Sequence, residues 1–273
     1  MSKLTQIGSK TESVLLCAMI SMLALALSAA AARADGGGAA TSLEAATFRI
    51  MSADGSQVLG HGEYHVENSA AQPVLVGQNR YIDGEYDVER DIIAFGADGG
   101  ARLVSFEHSF FNADGSQKFF GRADLRKGEG ECTGFEANRE RALVKHIDFP
   151  ADTYAGATAV MALENALRTG VGEASFHVFD CGPAPRVVAV AAQLGREQQE
   201  SDLYPRKLMQ VDVTADLGWL GSLVDGLLPH RRAWFDPSAG WHFVAGKIQR
   251  YFASGPLVML VREETAFTQR ASN

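Results

Sequence analysis

Alternating apolar and polar positions dominate the chain from residue 44 to residue 264. Turns that contain Asp-Gly separate the alternating runs, as at Asp83-Gly84, Asp98-Gly99 and Asp114-Gly115. A period of two predicts β-strands with one buried face, and Asp-Gly favours hairpins because Gly adopts a positive φ at little cost. Residues 44–264 are therefore predicted to form a single, mainly β domain. Its expected architecture is a large curved antiparallel sheet or open barrel of about ten strands with two helices.

Two segments have a helical period instead. The first, Thr153–Thr169, has Asp152 as its expected N-cap and ends at Gly170. The second, Leu217–Leu228, has a broad apolar face and ends before Pro229.

The second predicted helix has two interpretations. Gly218, Gly221 and Gly226 lie in its interior, where each glycine costs about 1 kcal/mol relative to Ala, so its order would depend on packing. It can cover an apolar hollow in the sheet as a lid that opens. Alternatively it plugs the barrel, and the glycines allow close packing on the sheet.

The two ends of the chain are predicted to lie outside the folded domain. Two early lysines precede an apolar run at Val14–Leu27, and Ala32-Arg33-Ala34 fits the A-x-A cleavage pattern of a secretory signal peptide. We expect cleavage before Asp35 and export to the periplasm, with an uncleaved anchor as the alternative. Residues 35–43 are Gly- and Ala-rich and are expected to be a flexible lead, and residues 265–273 a flexible tail.

Removal of residues 1–34 leaves an acidic mature chain. The net charge is −8 for the full sequence, and the removed part holds three basic residues and one acidic residue, so the mature chain carries −10. An acidic chain without a basic stripe argues against nucleic acid as a partner. After Leu27 no apolar run is long enough to predict a transmembrane helix.

Two cysteines, Cys132 and Cys181, lie in the predicted mature chain. Export places them in an oxidising compartment, where a pair of cysteines tends to form a disulfide. Such a bridge typically contributes about 2–4 kcal/mol to stability. Two separate thiols are the alternative, because the sequence does not show whether the Cα atoms lie within reach.

Two predicted strands place a polar side chain on an apolar face. In Glu85–Ile93 the acidic residues share one face, so Arg90 falls on the opposite face among apolar residues. The set that shares a face on a nearby strand is Val104, Phe106, His108 and Phe110. An apolar cavity would use Arg90 and His108 to orient the head group of an amphipathic ligand. The structural alternative is that each group satisfies a buried acid or carbonyl, or that a bulge turns it outward.

A weaker candidate is a metal site on an earlier strand. His61, Glu63 and His65 alternate, so their side chains share one face and could offer two imidazoles and a carboxylate to a divalent ion. The simpler interpretation is that Gly60, Gly62 and Tyr64 pack inward and leave this polar face in water. We predict no metal and no cofactor.

Signatures of common catalysts are missing from the sequence. It contains no Gly-x-Ser-x-Gly elbow, no Walker loop and no His-Glu-x-x-His pair. A hydrolase that uses carboxylates stays open, because glycosidase carboxylates need not be neighbours in sequence.

Four segments resemble a group of uncharacterised bacterial exported proteins. They are Tyr86–Arg90, Phe149–Tyr154 before a helix, Trp234–Pro237 before a late strand pair, and Gly255–Val258. The resemblance covers most of the mature chain. It implies an open antiparallel barrel or clasp with helices near its mouth, distantly similar to periplasmic carriers of lipoproteins and lipids, which hold acyl chains in an apolar hollow.

The expected function is therefore the non-catalytic binding or carriage of a hydrophobic or amphipathic ligand such as a lipid. The first alternative is an envelope scaffold or assembly factor that has a protein partner and no ligand. The second alternative is an unrecognised hydrolase.

Overall fold

The computed structural model describes nine segments of the chain. They are residues 45–68, 72–97, 99–134, 143–170, 172–181, 184–198, 207–215, 231–251 and 254–263. The predicted signal peptide, lead, tail and second helix lie outside these described residues.

The described residues form fifteen strands and one α-helix. The strands are β1 (Ala45–Ser52), β2 (Val58–Asn68), β3 (Pro73–Tyr81), β4 (Tyr86–Phe95), β5 (Ala101–Phe111), β6 (Gln117–Asp124), β7 (Glu129–Thr133), β8 (Leu143–His146), β9 (Thr153–Tyr154), β10 (Glu173–Cys181), β11 (Pro185–Gln198), β12 (Leu208–Ala215), β13 (Arg231–Asp236), β14 (His242–Tyr251) and β15 (Ser254–Arg262). The helix is α1 (Gly156–Arg168), and a 3-10 turn covers Pro237–Ala239.

All fifteen strands belong to one sheet, in the order β8-β7-β6-β5-β4-β3-β2-β1-β15-β14-β13-β12-β11-β10-β9. The chain therefore enters at the centre of the sheet with β1, runs outward by hairpins to β8, and crosses to the other edge at β9. From β9 it continues through α1 to β10, and successive antiparallel strands then lead back to β15, which pairs with β1. Of the strand pairs, β9 with β10 is parallel and the others are antiparallel.

The two edges of the sheet lie close together. Cys132 on β7 and Cys181 on β10 form a disulfide with their Cα atoms 5.8 Å apart, although twelve places in the strand order separate these strands. The sheet is therefore strongly curved, and the bridge fastens one edge region to the other. The predicted pairing of the two cysteines is confirmed.

Helix α1 lies on the concave face of the sheet. Its buried side chains Met161, Leu163 and Leu167 belong to the main hydrophobic core. The strand residues of that core include Phe48, Ile50, Leu75, Phe176, Phe235, Phe243 and Val258. The carboxylate of Glu164 is fully buried and accepts a hydrogen bond of 2.9 Å from the backbone N–H of Phe243, which fixes the helix to β14.

A second apolar cluster lies on the opposite face of the same strands. Trp234, Met259 and Val261 alternate with core residues along β13 and β15, and they are buried together with Met51 and Val244. Alternate residues of a strand point to opposite faces. β1, β13, β14 and β15 are therefore buried on both faces at these positions.

The mainly β fold is confirmed, but the predicted details differ. Fifteen strands are described where about ten were expected. One cause is the segment Gly128–Gly134, whose glycine-rich composition is typical of an exposed turn but which contains β7. Gly130 on this strand is buried, and an added Cβ would lie 2.5 Å from Ile147 Cδ1 and 3.0 Å from Phe179. Close packing therefore uses a glycine that in sequence resembles a turn signal.

The first helix is confirmed but begins three residues later than predicted. Thr153-Tyr154 is extended and forms β9, and Ala155 precedes the helix. The backbone N–H of Ala155 donates to the hydroxyl of Thr158 at 3.1 Å. Asp152 is not the cap, since its carboxylate pairs with His177 at 2.9 Å.

None of the helices among the described residues has both the length and the apolar character needed to cross a membrane.

Candidate functional site

The inner face of β4 carries three carboxylates. Asp87, Glu89 and Asp91 are between 0 and 3% exposed, whereas Arg90 lies on the outer face with half of its side chain exposed. Arg90 contacts Glu67 on that outer face at 3.2 Å. The prediction that Arg90 lies on the buried, apolar face is therefore wrong. The alternation is as predicted, but the acidic face is the one that points inward.

His108 on β5 holds two of these carboxylates. Its Nε2 lies 2.9 Å from Oδ1 of Asp87, and its Nδ1 lies 3.6 Å from Oε2 of Glu89. Asn79 on β3 donates from its side-chain amide to the same oxygen of Asp87 at 2.9 Å. Burial lowers the pKa of His108, but the hydrogen bond with Asp87 and the charges of Asp87 and Glu89 outweigh it and raise that pKa above 6.5. The imidazole therefore keeps its proton to a higher pH than an unperturbed imidazole does.

Glu89 connects this layer to α1. Its Oε1 accepts a hydrogen bond of 2.6 Å from the backbone N–H of Ala157 in the first turn of the helix. The first N–H groups of a helix lack partners within the helix, and a carboxylate satisfies them favourably. Gly156 allows this approach, because an added Cβ would lie 2.1 Å from the same oxygen. Its φ of +46° also favours glycine.

Asp91 lies deepest in the cluster. Neither of its carboxyl oxygens accepts a hydrogen bond of normal geometry from a described group, although the Glu89 carboxylate and the backbone of Thr158 lie beside it. Burial, followed by the charge of Glu89, raises the pKa of Asp91 well above its usual range. An isolated charge would be costly here, so Asp91 favours its neutral, protonated form.

A second polar group lies at the start of β4. Glu85 precedes β4 and accepts hydrogen bonds from Lys118 on β6, at 2.6 Å, and from the hydroxyl of Tyr251 on β14. Arg250 on β14 contacts Glu85 at 3.0 Å and Asp83 at 2.8 Å. Burial raises the pKa of Glu85, but these donors outweigh burial and lower that pKa below its ordinary value. These contacts connect β14 to β4 and β6, which lie five and seven places away from it in the strand order.

The predicted apolar contacts for a ligand are packed against protein. Phe106 and Phe110 are 1% and 3% exposed. The ring of Phe106 lies 6.0 Å from that of Phe179, and the ring of Phe110 lies 5.7 Å from that of Tyr251. These two residues and His108 share the inner face, as predicted.

Val104 was also predicted to share the inner face, but a bulge in β5 changes its position. The pairing of β4 with β5 shifts between Ile92 and Ile93, so that Ile92 faces Ser105 and Ile93 faces Leu103. Val104 is the extra residue of this bulge and is half-buried, whereas Leu103 is buried. A bulge resets the alternation of a strand, and this one is not visible in the sequence pattern.

The weak metal candidates on β2 lie on its outer face. The side chains of His61 and His65 are 65% and 49% exposed and lie near Glu263 and Glu67, respectively. Gly60, Gly62 and Tyr64 point inward and are buried, as the simpler interpretation predicts. Within the part of the chain that the structure describes, no group of three or more His, Cys, Asp or Glu side chains is arranged to hold a metal ion.

The buried cluster of Asn79, Asp87, Glu89, Asp91 and His108 is therefore the strongest candidate site; we call it the acidic layer. It can hold and exchange protons, and it holds the first turn of a helix. From the sequence, His108 is a predicted site residue, whereas the three carboxylates were placed on the face of β4 opposite its apolar residues. The alternation of Glu85, Asp87, Glu89 and Asp91 signals that they share a face, but it does not signal that this face is buried.

Comparisons with known proteins find a likeness to a solved structure. No family model matches the chain, and no curated protein matches it. Among solved structures, the chain is similar to the crystal structure of a β-barrel-like protein of a domain of unknown function, DUF1849, from Brucella abortus. The identity is 16%, the match covers 82% of this chain and 98% of that chain, and the TM-score is 0.45. A likeness at this level does not assign a function or a family to this chain.

Proposed function

We propose that this protein is exported to the periplasm and acts there as an envelope scaffold or assembly factor that binds protein partners through its outer surface. The observation that carries this proposal is the position of α1, which packs its apolar side against the concave face of the sheet. That face is where a carrier would hold its ligand. A scaffold needs a rigid body and no cavity.

The packing of the predicted ligand contacts supports the same conclusion. Phe106 and Phe110 contact other aromatic rings, and His108 is bound to Asp87. Between α1 and β10–β12 the described residues leave a cavity of about 10 Å³, which has room for about one water molecule. The carrier function predicted from the sequence therefore has less support than the scaffold function.

Export has its own support in the disulfide between Cys132 and Cys181. Structural disulfides are typical of oxidising compartments such as the periplasm. N-terminal sequencing of the protein from a periplasmic extract tests this step, and we expect the mature chain to begin at Asp35. Recovery of the full-length chain in the inner membrane would contradict it.

Native mass spectrometry of the mature protein after gentle extraction tests scaffold against carrier. We expect the mass of the disulfide-bonded chain without a bound amphiphile, and no enhancement of a hydrophobic fluorescent probe. Phe106→Ala on the inner face and Phe95→Ala on the surface form a matched pair. A co-purified lipid that is lost in Phe106→Ala and kept in Phe95→Ala would overturn the scaffold proposal and support the carrier.

A further inference from the structure

Negative groups outnumber positive groups in the acidic layer. β4 contributes Asp87, Glu89 and Asp91, and β5 contributes His108 as the facing cation. The other described titratable groups around the layer are Tyr64 on β2 and Tyr81 on β3, whose pKa values are raised mainly by burial.

The nearest described arginines have other contacts. Arg250 stacks on Tyr81 with its guanidinium carbon 3.8 Å from the ring centre, and it binds Asp83 and Glu85 at the end of the sheet. Arg102 donates to the hydroxyl of Tyr154 at 3.1 Å. Arg90 lies on the outer face. Within the described residues, the layer is therefore balanced by the imidazole of His108, by the helix N–H groups and by protonation of a carboxyl.

We propose that the acidic layer is a proton-dependent anchor for the first turn of α1, so that this turn is released from β4 as the pH rises while the strands stay paired. Three contacts support the anchor. His108 bridges Asp87 and Glu89, Glu89 holds the N–H of Ala157, and Asp91 lies fully buried beside Glu89 without a described hydrogen-bond donor.

The direction of the effect follows from the two groups that hold protons. The pKa of His108 is raised above 6.5, so its contribution to stability is complete below 6.5 and is lost as the pH rises through the raised value. The pKa of Asp91 is raised above 3.8, so ionisation of Asp91 destabilises the folded state progressively from pH 3.8 up to the raised value. Both groups therefore weaken the anchor as the pH rises.

The effect is local because the anchor contacts one end of the helix. The other end is held by apolar packing of Leu163 and Leu167 and by the contact of Glu164 with β14. Loss of protons from the acidic layer removes none of these contacts. We therefore expect the first turn to open before the sheet does.

Hydrogen exchange measured by mass spectrometry on the mature, disulfide-bonded protein tests the proposal. Protection factors for residues 157–161 are compared with those for β12 between pH 6 and pH 9, after correction for intrinsic exchange rates. We expect the ratio of α1 to β12 protection to fall as the pH rises over this range, because both groups then lose the protons that support the anchor.

The variant Asp91→Asn keeps a neutral side chain at every pH, and the matched control Glu107→Gln changes an exposed acid on β5. We expect a flatter pH dependence in Asp91→Asn and a wild-type dependence in Glu107→Gln. Carbon-13 NMR of the Asp91 carboxyl in the wild-type protein gives a readout that does not depend on folding of the variant. We expect this carboxyl to titrate well above 3.8.

Several results would overturn the proposal. They are a protection ratio that does not change with pH, the same slope in Asp91→Asn as in the wild type, and an Asp91 carboxyl that titrates near 3.8. Sheet and helix protection that fall together would also overturn it, because the proposal requires the strands to stay paired.

Discussion

Two regions of the concave face bury opposite chemistry against the same helix. β1 and β13–β15 present apolar side chains to the body of α1, among them Phe48, Phe235, Phe243 and Val258. β3–β5 present the acidic layer to its first turn. The comparison shows that burial on this face does not require apolar side chains, provided that an imidazole, an amide, helix N–H groups and a proton compensate the carboxylates.

The two regions should also respond differently to substitution. Apolar packing does not depend on pH, whereas the acidic layer contains groups that titrate.

Phe235→Ala removes a fully buried ring from the apolar region. We expect a loss of about 3–5 kcal/mol in the free energy of unfolding, from lost transfer energy and from the cavity that remains. Urea denaturation measures it, with the half-exposed Phe95→Ala as the control. If the loss caused by Phe235→Ala varied between pH 6 and pH 9, the contrast between the two regions would fail.

His108→Ala removes the cation from the acidic layer and leaves Asp87 and Glu89 without it. We expect a loss of about 3–4 kcal/mol at pH 6, since breaking a buried pair leaves an uncompensated charge. Because the pKa of His108 is raised in the folded protein, this loss should shrink as the pH rises through that value. His177→Ala is a matched control, because His177 lies 2.9 Å from Asp152 in a pair that is about one-third exposed. Equal losses from the two substitutions would contradict a special role for burial.

The double substitution Cys132→Ser with Cys181→Ser removes the bridge between the two edge regions. We expect a loss of about 2–4 kcal/mol, measured by thermal or urea unfolding. Reduction of the wild-type protein should give a similar loss. An unchanged midpoint after reduction would show that packing alone holds the edges together.

Gly156→Ala tests the contact between the acidic layer and α1. We expect a loss of about 1–3 kcal/mol, because the backbone is left-handed at this residue and the new methyl group would meet Glu89. Gly170→Ala is the control, since Gly170 also has a positive φ but an added Cβ has open space there. The loss in free energy of unfolding should be larger for Gly156→Ala than for Gly170→Ala, and the difference reports the contact with Glu89. Equal losses would contradict the importance of that contact.

Arg90→Ala changes the outer face of the strand that carries the acidic layer. We expect a loss below about 1 kcal/mol, because exposed ion pairs contribute little. A loss as large as that of His108→Ala would place Arg90 in the interior and restore the face assignment made from the sequence.

Strand alternation, hairpin turns and the cysteine pair were predictable from the sequence because each depends on local signals or on a single available pairing. The orientation of β4 was not predictable in this way. From the sequence alone, the apolar face of a strand with alternating charged and apolar residues is assigned to the interior. In β4 the acidic face points inward instead, because His108 and Asn79 on neighbouring strands and the first turn of α1 bind its carboxylates. The orientation of β4 therefore depends on tertiary contacts.

Two other errors have local causes. The bulge at Val104 shifts the register by one residue, and nothing in the residues around it signals this. β7 has a glycine-rich composition that is typical of a turn, yet its glycine at 130 is required by the packing of Phe179 and Ile147. Composition indicates which conformations a segment tolerates, whereas packing decides which conformation it adopts.

The strand order has a consequence for folding kinetics. Every antiparallel pair except one joins strands that follow each other in the chain, and the exception is β1 with β15, which brings Phe48 beside Arg262. Closing a loop of that length delays folding, because its entropy is lost before the contact is gained. A circular permutant that joins Arg262 to Ala45 by a short linker and opens the chain between β8 and β9 would turn all of these antiparallel pairs into sequential hairpins. We expect it to refold faster than the natural order under reducing conditions, where the bridge from Cys132 to Cys181 does not contribute to either chain.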